Sequence, residues 1–168
     1  IYLSRYASMS LFYEGPKSSD SLSNFVQIIQ IFELMSIKSF DNKMHTMNPQ
    51  LQSILQQAIQ AFQSGNFESA DLSLRRILQI DPKNLPALHI LGLIKASQSC
   101  YREAADYLAR AARIHPDDAS IQYNLAKALA DSGNNKDALA HHKKAVALAP
   151  NNPEAWLSYG KTASNLGR

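Results

Sequence analysis

A spacing of 34 residues runs through the second half of the chain. Pro82, Pro116 and Pro150 keep it, and so do Ala70, Ala104 and Ala138. A third set in phase is Ala58, Gly92, Ala126 and Gly160. Columns that share this period belong to a helix–turn–helix repeat whose members stack into a solenoid. One such unit cannot bury its apolar face alone, so its neighbours supply the core. The predicted fold is therefore all-α, a right-handed α-solenoid. The long concave surface of a solenoid suits binding a peptide or another protein rather than chemistry.

Each column has a physical reason. Small residues at 58, 92, 126 and 160 let the first helix of a pair approach the second closely, and Ala70, Ala104 and Ala138 do the same from the second helix. Leu, Ile and Tyr at i, i+3, i+4 and i+7 make the apolar stripe of an amphipathic helix. Gly65 and Gly133 sit where a helix ends in a left-handed residue, and Asn66 can cap the next one. Asp81-Pro82, His115-Pro116 and Ala149-Pro150 stop the second helices, because the residue before proline is pushed out of the helical region. Asn152-Pro153 reads as an N-cap followed by the first helical position. These signals predict helices near 50–64, 67–80, 85–98, 101–114, 119–131, 135–148 and 154–166.

The repeats run 51–84, 85–118 and 119–152, with a partial fourth at 153–168. The first offers Ile54, Ala58, Ala70, Leu74, Ile77 and Pro82; the second Leu88, Leu91, Gly92, Ala104, Leu108, Ala111 and Pro116. The third has Leu125, Ala126, Leu129, Ala138, Ala145 and Pro150, and the fourth opens with Trp156, Tyr159 and Gly160. This pattern resembles the tetratricopeptide-repeat (TPR) family from residue 51 to the end of the chain, and is similar to the N-terminal arrays of bacterial TPR proteins. Three positions depart from it. Gln122 stands in the column of Trp156, His142 takes the large apolar position of the third repeat, and Ser99 replaces the turn glycine of the second.

The resemblance implies that the first helices line the concave face. It places Gln56, His89, Tyr123, Asn124, Lys127, Asp131 and Lys161 there as candidate peptide-binding residues. An amide carries one acceptor and two donors, so Asn124 can hold an extended peptide backbone without reading its side chains. In TPR arrays of the O-GlcNAc transferase type an asparagine ladder occupies that position; here Gln56 is a distant substitute, while Ile90 and Ser158 depart. A carboxylate clamp of the chaperone-binding kind would need Lys and Asn where Leu55 and Ile59 stand. Lys127 and Lys161, one repeat apart on one face, read either as attraction for an acidic peptide or as two surface lysines.

The formal charge of +3 lies wholly in the repeats, since residues 1–46 hold four basic and four acidic side chains. Arg75, Arg76, Arg110, Arg113, Lys143 and Lys144 fall on second helices and read as solvated surface. No cluster of cations with stacking aromatics points to nucleic acid. The longest apolar stretch, around 25–37, is broken by Gln27, Gln30, Glu33 and Ser36, so no membrane span is expected. One cysteine permits no intrachain disulfide, and a cytoplasmic setting is the expectation.

Residues 1–46 show no trace of the period. They read either as upstream sequence before a natural start at Met47 or Met44, or as a segment whose helix near 22–39 covers Leu51, Leu55, Ile59 and Phe62. At the other end, the sequence stops one helix into a repeat, which suggests a fragment of a longer array; the alternative is that 154–166 is itself a capping helix.

Sites for chemistry are not apparent. Adjacent helical residues such as His141 and His142 point about 100° apart and do not easily share a metal ion. Cys100 has no general base placed beside it by the pattern. No phosphate-cradling glycine loop is present, and no cofactor or catalytic residue is expected. Two readings of function stand. One is a scaffold or adaptor that binds a peptide or partner. The other is the substrate-recognition arm of a larger enzyme, resembling O-GlcNAc-transferase-like glycosyltransferases or TPR sulfotransferases.

Overall fold

The computed structural model describes residues 48–167; the expected helix at 22–39 and the start at Met47 lie outside them. Seven helices follow in order among the described residues: α1 Pro49–Gln63, α2 Phe67–Ile80, α3 Leu85–Ser97, α4 Tyr101–Ile114, α5 Ala119–Asp131, α6 Asn135–Leu148 and α7 Pro153–Asn165. Each packs against the next, in the manner of a solenoid of helix pairs. Every end falls within a residue or two of its sequence expectation, because caps and prolines set the ends and both are legible in sequence.

The caps repeat with the period. Asn84, Asp118 and Asn152 precede the first helices α3, α5 and α7, and each accepts a hydrogen bond from the backbone N–H three residues on. Asn66 and Asn134 cap α2 and α6 in the same way. The equivalent of those two at α4 is Cys100, which makes no side-chain cap. Within each pair the turn is closed by a bond from the residue after the left-handed position to the carbonyl five back: Asn66 to Ala61, Cys100 to Lys95 and Asn134 to Leu129, at 2.8–2.9 Å. Gly65 and Gly133 hold the left-handed position at φ 77° and 90°, and Ser99 takes it at 60° without glycine's freedom.

The core lies between the helices of each pair. Leu74, Leu108 and His142, spaced by 34, are buried on α2, α4 and α6. At Gly92 the first helix comes close to the second: an added Cβ would stand 2.5 Å from Leu108 Cγ. Ala70, Ala104 and Ala138 are fully buried as well.

Junctions between repeats are pinned by polar groups. The proline carbonyl that closes each repeat accepts a hydrogen bond every time, from a different donor. Gln122 Nε2 reaches Pro116 O at 2.7 Å and Trp156 Nε1 reaches Pro150 O at 2.8 Å. Leu88 holds the equivalent position of the second repeat and has no donor, and there Arg110 Nη2 reaches Pro82 O at 3.0 Å. Asp71 on α2 pairs with Lys95 of α3 at 2.9 Å and with Arg75 of its own helix. Burial works to raise the Asp71 pKa, but the hydrogen bonds from Lys95 and Arg75 outweigh it and hold the carboxyl below its usual range.

These contacts generate two predictions. Cys100→Asn supplies the missing cap and should raise the unfolding free energy by about 1 kcal/mol in urea titrations; an unchanged midpoint would count against the cap. Gly92→Ala forces Leu108 to shift and should cost roughly 1–2 kcal/mol. Gly160→Ala, with no atom within 4 Å of its Cβ, should instead gain up to about 1 kcal/mol. Shifts of the same sign would refute the close-approach argument.

Candidate functional site

The first helices of successive repeats touch directly, α3 with α5 and α5 with α7. No pair of second helices packs together to that degree, so the first helices form the inner side of the stack. The candidate residues take up distinct states along it. Gln56 on α1 and Lys161 on α7 are exposed. His89 and Asn124 are buried at 5% exposure each and meet across repeats, with Asn124 Nδ2 3.0 Å from His89 Nε2. Lys127 Nζ pairs with Asp131 Oδ2 one turn on, at 3.1 Å. Tyr123 is half-buried, its ring edge-on to His142 with centroids 6.2 Å apart.

Two pairs are therefore brought together, His89 with Asn124 and Lys127 with Asp131. Gln56 and Lys161 stand apart from both. Ile90 and Leu93, on the same helix as His89, are buried, so α3 offers few exposed polar groups to this face.

Burial pushes the His89 pKa down to about 4, against an opposing pull from Asp118. The ring is neutral at pH 7, and because the Asn124 Nδ2 that faces it can only donate, Nε2 is the acceptor. His142 is likewise pushed down to about 4, by burial first, with Asp131 opposing and His141 adding. Its Nδ1 is sealed from solvent without a hydrogen-bond partner. His141 is lowered by burial and places Nδ1 2.8 Å from Gln122 Oε1. The two adjacent histidines thus serve separate contacts, as their angular separation demands. Among the described residues no group of three or more His, Cys, Asp or Glu is placed to hold a metal ion. No described helix is long and apolar enough to cross a membrane.

Several second-helix cations are less free than their sequence positions suggested. Arg110 lies 5.8 Å over the Tyr107 ring besides capping Pro82, and Lys144 pairs with Asp117 at 3.2 Å. Gln122 and His142, departures from the repeat pattern, each take a specific place in the structure. The signal for Gln122 was its column, shared with another side-chain N–H donor, Trp156.

The tetratricopeptide-repeat model matches residues 91–153 and again 123–168. Comparison with curated proteins returns no match. Solved structures do match. A mutant of Thermobaculum terrenum O-GlcNAc transferase is 32% identical with a TM-score of 0.61, over 67% of this chain and 22% of that one. YrrB, a TPR protein with an unusual peptide-binding site, is 24% identical with a TM-score of 0.65, over 68% of this chain and 59% of that one. The Yersinia enterocolitica type III secretion chaperone SycD, in complex with a peptide of the translocator YopD, is 19% identical with a TM-score of 0.59, over 70% and 90%. This chain thus spans about a fifth of the transferase it resembles. Its described residues form an all-α helical repeat array, and the chain belongs to the tetratricopeptide-repeat family. That fold in general mediates protein and peptide binding.

The depressed histidines fix a pH dependence. An unfolded histidine takes up a proton near pH 6.5, while folded His89 and His142 resist it until about 4. Unfolding binds protons in that window, so stability falls as pH drops from 6.5 towards 4. His142→Leu restores the residue type of Leu74 and Leu108 and removes the orphaned nitrogen. Thermal melts across pH 4–7 should then show a shallower acid slope and about 1 kcal/mol more stability at neutral pH. An unchanged slope would place the acid sensitivity elsewhere.

Proposed function

We propose that this array is a protein-interaction module that takes an extended peptide along the inner face of its first helices, chiefly over α5 and α7. The observation that carries this is the direct contact of α3 with α5 and α5 with α7, which makes one continuous surface of neighbouring helices. Tyr123, Lys127, Asp131 and Lys161 offer it an aromatic edge, an ion pair and, among the described residues, an unpaired cation within reach of solvent. The peptide complex of SycD is made by an array of the same fold, which supports the reading at the level of fold.

A second reading draws on the 32% identity to the Thermobaculum terrenum O-GlcNAc transferase. The array would then be the recognition arm of a larger enzyme, and the same inner face would select that enzyme's substrates. Both readings put the ligand in the same place.

The test is a peptide array probed with the purified full chain. Lys127→Ala combined with Lys161→Ala should weaken capture about tenfold, or about 1.4 kcal/mol, with helicity by circular dichroism unchanged. Undiminished capture by the folded double variant would rule out the inner face as the binding surface.

A further inference from the structure

We propose that His89 is a positioning residue for ligand recognition: it holds the Asn124 side-chain amide in one orientation, so that the amide presents an acceptor and a donor to the backbone of a bound peptide. The inference rests on the peptide-binding reading above and deepens it.

Rotation about the last torsion of asparagine is broad and nearly two-fold, so oxygen and nitrogen exchange easily unless a neighbour distinguishes them. His89 makes that distinction. It stands on α3, one helix back along the inner face, and its Nε2 lies 3.0 Å from Asn124 Nδ2. A neutral imidazole offers one acceptor and one donor nitrogen. With Nε2 accepting, Asn124 must turn an N–H towards α3 and cannot place its oxygen there. Burial of both residues removes the water that would otherwise substitute for either partner.

The remaining hydrogen-bonding capacity of Asn124 is then fixed as one oxygen acceptor and one N–H. Asn124 Oδ1 is neither hydrogen-bonded nor among the sealed, unpartnered polar atoms of the described residues. An acceptor and a donor side by side complement the N–H and C=O of a peptide unit, and no ligand side chain is read. A flipped amide would present the reverse order and meet an extended chain out of register. His89 therefore sets which backbone group the face recognises, without touching the ligand itself.

The test uses the full chain and the most strongly captured member of the peptide array, together with the series of that peptide N-methylated at one residue at a time. With the unaltered chain, methylation at one position should reduce capture at least tenfold, because that N–H is the one Asn124 accepts. With His89→Leu the single-position penalty should flatten to less than threefold while helicity persists. With His89→Gln, whose Oε1 falls near the imidazole Nε2, the penalty should return. A role confined to packing would weaken all peptides of the series equally. A second measurement, the 15N shifts of the His89 ring at pH 7, should show Nε2 unprotonated and Nδ1 protonated; it decides the question even if His89→Leu fails to fold.

A penalty that persists in folded His89→Leu, or a protonated Nε2, overturns the assignment and leaves the peptide-binding face standing. Absence of any captured peptide with the unaltered chain overturns the face itself, and this inference with it.

Discussion

The structure depends on how closely two helices of one repeat can approach. At Gly92 the distance is so short that a single added carbon would meet the buried Leu108. One period away on either side, Ala58 and Leu74, and Ala126 and His142, occupy the equivalent positions of their repeats and are likewise buried. Interiors are packed at crystal-like density, so a pair spaced this tightly has one arrangement open to it. The 34-residue period is the sequence image of that spacing. Stacking then follows, because each pair leaves an apolar flank that only another pair covers.

The repeat junctions obey a chemical requirement more than a residue requirement. Each closing proline carbonyl needs a donor, and glutamine, tryptophan and arginine all supply one. Glutamine and tryptophan do so from one column. Arginine arrives from a different helix where that column holds leucine. Each such hydrogen bond contributes about 1 kcal/mol net, and three different side chains supply it. Gln122 makes the same bond as the indole of Trp156 from the same column, with less bulk.

Much of the fold was legible because caps, turn residues and prolines act locally. The seven helices and the left-handed turns at Gly65 and Gly133 follow from signals within a few residues of each feature, whereas Ser99 takes the left-handed position without glycine. The candidate site was legible only as a face. That His89 joins Asn124 depends on two helices separated by 35 residues lying side by side, and no local pattern encodes the rotation of each about its axis. Nor did the sequence distinguish Arg110, anchored on a carbonyl and an aromatic ring, from a cation free in solvent. Such contacts come from tertiary geometry, and a column of residues shows position without partner.

The lone tryptophan of the chain stands at one of these junctions. Trp156 is half-exposed, its indole N–H bound to Pro150 O between α6 and α7, with Tyr159 edge-on at 6.1 Å. Opening that junction wets the indole and breaks its bond, whereas events at the earlier junctions leave it untouched. Because solenoids come apart repeat by repeat as much as all at once, the array carries its own fluorophore for one boundary. Indole emission and far-ultraviolet ellipticity should then trace different transitions whenever the last helix detaches ahead of the rest.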